Sequence, residues 1–169
     1  PRPGGGTKNA KKGTGGASTI GNGNGWDVVI THSGLFDGLN VFAGLSSVEQ
    51  NATLGDLDSE AYGFTYAIGG ATIGYQQSSM DNIGAAASYY DTDAYAISYS
   101  VNDDLTISYG ITESSTNLAT TSDVEAQSFQ ISYSVGGAAV VFAESDVDNQ
   151  NYVTGTNRSG RTVAVTLAF

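Results

Sequence analysis

The sequence of 169 residues contains no cysteine and only two prolines. Without cysteine the chain can form no disulfide, carry no thiolate nucleophile and bind no metal through sulfur. It also lacks any run of about 20 consecutive apolar residues, which is the length that a transmembrane helix requires. These absences exclude a disulfide-stapled scaffold and a helical membrane protein, and the length fits one ordinary domain.

Positive charge is scarce after Lys12. From residue 13 onward only Arg158 and Arg161 stand against all 17 acidic residues of the chain. A surface of this sign repels the phosphates of DNA and RNA, so we expect no nucleic-acid partner.

Residues 1–25 differ in composition from the rest of the chain. They are rich in Gly, Asn, Ser, Thr and Lys, and Ile20 is their only large apolar residue. Such a segment cannot bury enough apolar surface to order itself, so we expect a flexible loop or lead-in. Its glycines do not form a phosphate-binding loop, because the pattern GxxxxGK[ST] is absent. The folded part of the chain is therefore expected over residues 26–169.

Within residues 26–169, large apolar residues alternate with small ones. Residues 62–68 read YGFTYAI, residues 95–101 read YAISYSV, and residues 129–135 read FQISYSV. A period of two with aromatic and β-branched residues predicts β-strands. The three stretches begin at Tyr62, Tyr95 and Phe129, which is a nearly constant spacing, so the chain is built from repeated units.

Each unit is predicted to be one hairpin followed by one long link. Turn residues follow the three stretches at Gly69-Gly70, residues 102–104 and Gly136-Gly137, and a second apolar run follows each turn. An earlier hairpin is expected over residues 26–47 and a last strand over Arg161–Phe169. Acidic long links are expected near residues 47–59, 78–90, 114–123 and 146–159. About nine strands and no helix result.

The two faces of these strands indicate two different surroundings. One face is large and apolar, and the other carries Ser, Thr, Gly, Ala and Gln with almost no charge. Soluble sheets protect their edges with lysine, yet no lysine follows Lys12. In hydrocarbon every backbone N–H and C=O must pair, so a sheet there closes on itself. We therefore expect an all-β, antiparallel up-and-down transmembrane β-barrel with a wide, wet interior.

Two further patterns fit a membrane-spanning sheet. Tyr66, Tyr99 and Tyr133 recur near the turns, as in an aromatic girdle at the lipid–water boundary, although each fits ordinary sheet packing as well. The chain ends with RTVAVTLAF, in which apolar residues alternate up to Phe169. This closing strand resembles that of bacterial outer-membrane β-barrel proteins.

The whole of residues 26–169 resembles the C-terminal portion of a general diffusion porin of α-proteobacterial type. The resemblance rests on the repeat length, the short turns opposite long acidic loops, and the terminal strand. It implies passive diffusion of small hydrophilic solutes and ions across a bacterial outer membrane. It also implies a homotrimer, contact with outer-membrane lipid and lipopolysaccharide, and recognition of Phe169 by the barrel-assembly machinery. No cofactor is expected.

The strand count departs from that family. Single-chain bacterial barrels have an even number of strands, and such porins use 16. We expect a portion of a larger barrel, because Ser, Thr, Ala and Gly would leave a narrow barrel full of voids. A small barrel of eight or ten strands, acting as anchor or receptor, stays open. So does a soluble secreted β-sandwich acting as a binding or adhesin module. An enzyme is not expected, because neither GxSxG nor a triad around the single His32 is present.

Polar residues of the strands are candidates for the pore lining or its mouth. Asp27, Glu113 and Glu144 are predicted to point inward, Gln130 to line the pore, and Arg158 to face the mouth. An excess of carboxylates predicts a weak preference for cations. A solvated surface role is the alternative for each of the carboxylates.

Two other sets of polar residues are assigned outside the pore. Arg161 is expected at the outer boundary of the membrane, where it would pair with lipopolysaccharide phosphate, with ordinary loop solubility as the alternative. Weak candidates for a loop calcium site, without the EF-hand pattern, are Asp91, Asp93, Asp146 and Asp148.

Overall fold

The computed structural model describes residues 24–50, 54–83, 87–118 and 122–167. Within these ranges the chain forms nine strands, which confirms the expected number. They are β1 (Gly25–Ser33), β2 (Leu39–Val48), β3 (Leu57–Ile68), β4 (Ala71–Asp81), β5 (Tyr89–Ser100), β6 (Leu105–Thr116), β7 (Val124–Val135), β8 (Ala138–Asp148) and β9 (Arg158–Leu167). The described ranges contain no α-helix, only a short 3-10 turn at Gln150–Tyr152 between β8 and β9.

The nine strands form one antiparallel sheet in the order β1 to β9, so each strand pairs with its neighbours in sequence. This is the predicted up-and-down order. β1 pairs only with β2 and β9 only with β8, which leaves both edge strands unpaired on their outer sides within the described ranges. The described sheet is therefore open.

Short turns close the four hairpins at one end of the sheet, at the predicted positions. Gly136 and Gly137 both have positive φ, 57° and 82°, the conformation that a tight two-residue hairpin turn needs. In the turn between β5 and β6, the side-chain oxygen of Asn102 accepts hydrogen bonds from the backbone N–H groups of Asp104 and Leu105, both at 2.9 Å. Local turn chemistry thus sets the register of the hairpins.

Long links join the hairpins at the opposite end of the sheet. They are shorter than expected, with residues 49–56, 82–88, 117–123 and 149–157, because the strands extend further into them. Strand β9 begins at Arg158 rather than at Arg161. Of the predicted lead-in, residues 1–23 lie outside the described residues, and so does Phe169.

The described sheet has no dry centre. None of its hydrophobic residues is buried, and Ser88 is the one buried polar residue in these ranges. Large apolar side chains stay in the open, for example Ile97 at 48 %, Tyr99 at 53 % and Leu167 at 62 % exposed. Backbone hydrogen bonds between strands, rather than side-chain burial, hold the described sheet together.

We expect Gly63→Ala to lower the free energy of unfolding by roughly 1–3 kcal/mol, because overpacking a tight site costs about that much. A Cβ at Gly63 in β3 would lie 2.2 Å from the carbonyl oxygen of Tyr75 and 2.9 Å from Cζ of Phe42. Gly74→Ala in the adjacent strand is the control, since its Cβ would have no neighbour closer than 3.7 Å. Urea unfolding followed by tyrosine fluorescence measures both, and equal midpoints would contradict the expectation.

Candidate functional site on the two faces and the long-link end

The register assigns each strand side chain to one of two faces, because residues directly opposite each other in an antiparallel pair share a face. We call the face that carries Tyr62, Phe64 and Tyr66 the apolar face. Its other large members include Val28, Ile30, Val41, Ile73, Ile97, Ile107, Ile131, Phe142, Val163 and Val165. The opposite, polar face includes Ser46, Thr65, Ser78, Thr92, Ser98, Ser108, Ser128, Ser132, Ser145 and Thr162.

Three of the five pore candidates lie on the polar face. Asp27 and Gln130 are each directly opposite a serine of the neighbouring strand, and Arg158 lies at the start of β9. A hollow of about 580 Å³ opens beside Asp27 over β1 to β5, and Met80, Tyr90 and Thr92 contribute to its lining. This volume is within the range of small-molecule sites.

Glu113 and Glu144 lie instead on the apolar face. Glu113 is directly opposite Asp93, and Glu144 is directly opposite Phe129. The prediction that both side chains share the face of Asp27 is wrong. Alternate residues of a strand lie on the same face, so Glu113 shares the apolar face with Ile111 in β6, and Glu144 shares it with Phe142 in β8. Both carboxylates lie in the half of the strand next to the long links.

A margin of polar and charged residues bounds the apolar face on its long-link side. In β3, β5, β7 and β9 the series of large apolar residues that begins near the short-turn end of the sheet stops at one residue, and the residue two positions nearer the long link is polar. These pairs are Tyr62 and Glu60, Tyr95 and Asp93, Phe129 and Gln127, and Val163 and Arg161.

This boundary does not follow the hydrogen-bonded rows of the sheet. Tyr62 in β3 is paired with Gln77 in β4, which is paired with Asp93 in β5. The boundary residue of β5 is Tyr95 rather than Asp93, so in β5 the boundary lies two residues nearer the short turns than in β3. The boundary moves by the same two residues toward the short turns from β5 to β7, and again from β7 to β9. From β3 to β9 the boundary therefore shifts by two residues for every two strands, an average of one residue per strand, in the same direction.

The three predicted girdle tyrosines, Tyr66, Tyr99 and Tyr133, lie on the apolar face near the short turns. They occupy every second strand, within three residues of its end. Tyr99 and Tyr133 are 53 % and 44 % exposed. The three thus lie near the short turns on one face, and their role as a girdle stays a prediction.

Sequence reasoning missed a second row of tyrosines at the opposite boundary of the apolar face. It consists of Tyr62, Tyr75, Tyr95 and Tyr109. The hydroxyl of Tyr75 donates to Asp93 at 2.7 Å, and that of Tyr109 donates to Gln127 at 2.7 Å. Tyr62 donates to Gln77 in the same way. The first two hydroxyls point toward the long links, so these rings end in the polar margin.

Arg161 also lies in this margin. Its Nε and Nη2 donate to Oε1 of Glu144 at 2.9 and 2.6 Å. The two side chains are 72 % and 36 % exposed, and exposed pairs of this kind contribute at most about 1 kcal/mol. Arg161 thus lies in the polar margin, paired with a carboxylate of its own sheet, and its place at a membrane boundary stays a prediction.

The four weak calcium candidates lie within strands rather than in loops, which corrects their predicted location. They are Asp91 and Asp93 in β5, and Asp146 and Asp148 in β8. Among the described residues, no three acidic or histidine side chains come together in a way that would hold a metal ion.

Three asparagines tie neighbouring links together, each placed directly after a strand that enters a long link. Asn82, Asn117 and Asn149 follow β4, β6 and β8. Each side-chain amide N–H donates to a carbonyl just before the preceding odd-numbered strand, at 2.8 to 3.0 Å. Each side-chain oxygen accepts from a backbone N–H at 2.8 to 3.0 Å. We call these the asparagine clasps.

Sequence reasoning did not single out the clasps. The available signal was the nearly even spacing of Asn82, Asn117 and Asn149, which is close to the repeat length. Asparagine at a strand end is also a common turn residue, because its amide bonds readily to nearby backbone groups.

No protein-family model matches this sequence, and no curated protein matches it. In the ranges that the structure describes, no helix is long and apolar enough to cross a membrane.

We expect Asn117→Ala to speed amide exchange at Tyr89 and to lower the free energy of unfolding by roughly 1–2 kcal/mol, because two hydrogen bonds are lost at about 0.5–1.5 kcal/mol each. The Oδ1 of Asn117 accepts from the N–H of Tyr89 at 2.9 Å, and its Nδ2 donates to the carbonyl of Ala87 at 2.8 Å. Asn40→Ala, in β2 and outside the clasps, is the control. Hydrogen exchange followed by mass spectrometry measures the effect, and identical exchange in the two variants would contradict it.

Proposed function

We propose that the sheet is part of the wall of a transmembrane β-barrel, and that the protein is a passive channel for small hydrophilic solutes and ions in a bacterial outer membrane. The observation that carries this proposal is the exposed apolar face, whose boundary from β3 to β9 slopes across the strands by two residues for every two strands. The chemistry of the opposite face supports it.

The apolar face needs a cover. Soluble proteins rarely expose a contiguous apolar patch of more than a few hundred Å², yet here large apolar residues of all nine strands share one face without being buried. A soluble sandwich covers such a face with a second sheet, and the described ranges contain one sheet. Acyl chains of lipid would cover the face without any second layer.

The slope of the boundary matches strands that cross a membrane obliquely. A shift of one residue, about 3.3 Å, for each strand spacing of about 4.8 Å corresponds to a tilt of about 35° between the strands and the normal of a flat boundary. Strands of transmembrane barrels tilt by about 35–45°. A flat membrane surface thus accounts for a boundary that crosses the hydrogen-bonded rows.

Strand length fits the same medium. The strands have 9 to 12 residues, and about 9–11 tilted residues cross the apolar layer. The two rows of tyrosines would then lie at the two lipid–water boundaries, with the hydroxyls of the second row in the polar margin.

The polar face would border water. Its small hydroxyl-bearing residues would leave voids if they were packed into a narrow barrel. In the described strands, its charged residues are Asp27 and Arg158, which have opposite sign. A weak preference for cations would therefore come from carboxylates of the long links at the mouth, such as Glu49, Asp56 and Asp123.

The barrel would be closed by strands beyond the nine described ones, because both edges of the sheet are open and hydrocarbon tolerates no unpaired edge. A barrel of porin size, associating as a homotrimer, fits this need. Lipid and lipopolysaccharide would contact the apolar face, and the barrel-assembly machinery would recognise the final strand. A barrel of eight or ten strands, serving as anchor or receptor, is less favoured. The nine described strands would nearly complete such a barrel, yet β1 and β9 do not pair with each other.

We expect the folded protein to require detergent or lipid, and to migrate differently on SDS gels before and after boiling, because a closed barrel resists SDS until it is heated. Circular dichroism in buffer with and without detergent checks the first expectation. A folded, monodisperse protein in plain buffer would favour the soluble β-sandwich and contradict the channel.

We expect Ile107→Lys and Ser108→Lys, adjacent residues on opposite faces of β6, to have different effects. Lysine on the lipid face costs about 2–4 kcal/mol near the middle of the bilayer, whereas substitutions facing the lumen tune selectivity. Ile107→Lys should therefore lower the free energy of unfolding from phospholipid vesicles by about that amount. Ser108→Lys should leave stability nearly unchanged and shift the reversal potential of the channel toward anions. Equal destabilisation by both would contradict the assignment of faces.

A further inference from the structure

The link between β8 and β9 folds back across the polar face of the sheet. The hydroxyl of Tyr152 lies 2.9 Å from Oγ of Ser114 in β6. The centroid of its ring lies 5.6 Å from that of Tyr90 in β5. Since neighbouring strands are about 4.8 Å apart, the hydroxyl of Tyr152 lies about 10 Å sideways from β8, across β7.

Two contacts at the base of this link fix its direction. The amide of Asn149 donates to the carbonyl of Asp123 at 3.0 Å, which is one of the asparagine clasps. Oγ1 of Thr154 lies 2.7 Å from Oγ of Ser122 in the link before β7. Both contacts direct the link toward β7, over which it must pass to reach β6.

Three residues of the link have left-handed φ, Asn149 at 53°, Asn151 at 58° and Tyr152 at 59°. Asparagine adopts this conformation readily, whereas at Tyr152 it costs about 1 kcal/mol and persists where the surroundings impose it. The tyrosine side chain, which joins β5 and β6, is the group that reaches farthest from the base of the link.

Tyr152 lies next to the hollow on the polar face. Tyr90, which its ring contacts, lines that hollow, and so does Thr92. Oγ1 of Thr92 lies 2.9 Å from Oγ of Ser114, the partner of the Tyr152 hydroxyl. On the polar face, Tyr152 thus contacts a phenol and a hydroxyl, whereas the hollow is also lined by the carboxylates of Asp27 and Glu60.

We propose that Tyr152 narrows the channel at its long-link end and sets the size limit for uncharged, hydroxyl-bearing solutes such as sugars. The proposal rests on the proposed channel function. The link occupies part of the cross-section above β5 to β7, and Tyr152 holds it there. Because the phenol of Tyr152 and the hydroxyl of Ser114 are neutral groups, these two side chains would select by size and hydrogen bonding rather than by the sign of an ion.

The test compares three variants of the full chain in liposomes, with uptake measured by swelling in a series of neutral sugars of increasing size. We expect Tyr152→Ala to shift the size limit toward larger sugars and to raise single-channel conductance. Tyr152→Phe should leave both close to those of the unaltered protein, because the ring remains in place. The control is Val153→Ala in the same link, where the side chain is 47 % exposed and its loss should change neither quantity.

A second measurement reports on the link without any transport. Arg158 and Arg161 are the only trypsin sites after Lys12, and Arg158 directly follows the link. We expect trypsin to cut after Arg158 faster in Tyr152→Ala than in the unaltered protein or in Val153→Ala. Unchanged cleavage would show that Tyr152 does not hold the link, and would overturn the proposal whether or not the protein conducts.

Two other results would overturn the proposal in different ways. Faster cleavage with an unchanged size limit, in a protein that does conduct, would mean that the link is anchored by Tyr152 but does not narrow the channel. The proposed channel function would survive that result. If neither the unaltered protein nor any variant admits sugars or ions, the channel function fails and the narrowing fails with it.

Discussion

The separation of side chains onto two faces governs this structure. The strands place large apolar residues on one side and mainly small polar residues on the other, with Phe42, Met80 and Tyr90 as larger exceptions, and the described sheet has nothing to bury the apolar side against. Stability within the described ranges therefore comes from continuous backbone pairing, because no buried hydrophobic residue contributes there. A sheet of this kind is suited to a medium that is itself apolar, where every unmade hydrogen bond is costly and apolar exposure is not.

The two ends of the sheet differ in how they are held. At one end, tight turns with glycine or asparagine close each hairpin, and backbone hydrogen bonds join turns to the next hairpin, as from Ser100 N–H to the carbonyl of Gly70 at 2.8 Å. At the other end, side-chain amides join one link to the next, and Tyr152 joins a link to strands farther away. The long-link end is thus a connected surface in which displacement of one link changes the contacts of its neighbours. In the proposed channel, that surface is the mouth.

Local pattern was enough to predict the strands, the short turns and the positions of Tyr66, Tyr99 and Tyr133, because a period of two is a property of neighbouring residues. The faces of Glu113 and Glu144 were also readable, had the alternation been continued past Ile111 and Phe142. The slope of the boundary became visible only with the register, which compares residues in different strands. The clasp of Asn149 and the contact of Tyr152 with Ser114 join residues 26 and 38 positions apart, and they depend on link conformations that no local pattern specifies.

The constant shift of the boundary has a consequence for how such a chain can change in size. Each repeat contains two strands, one tight turn and one link, and over each repeat the boundary of the apolar face shifts by two residues. Duplicating or deleting a whole repeat would therefore leave the inclination of all remaining strands unchanged and alter only the number of strands in the sheet. Gain or loss of a single strand would reverse the direction of everything that follows it. Evolution by whole hairpins is the route that this geometry leaves open.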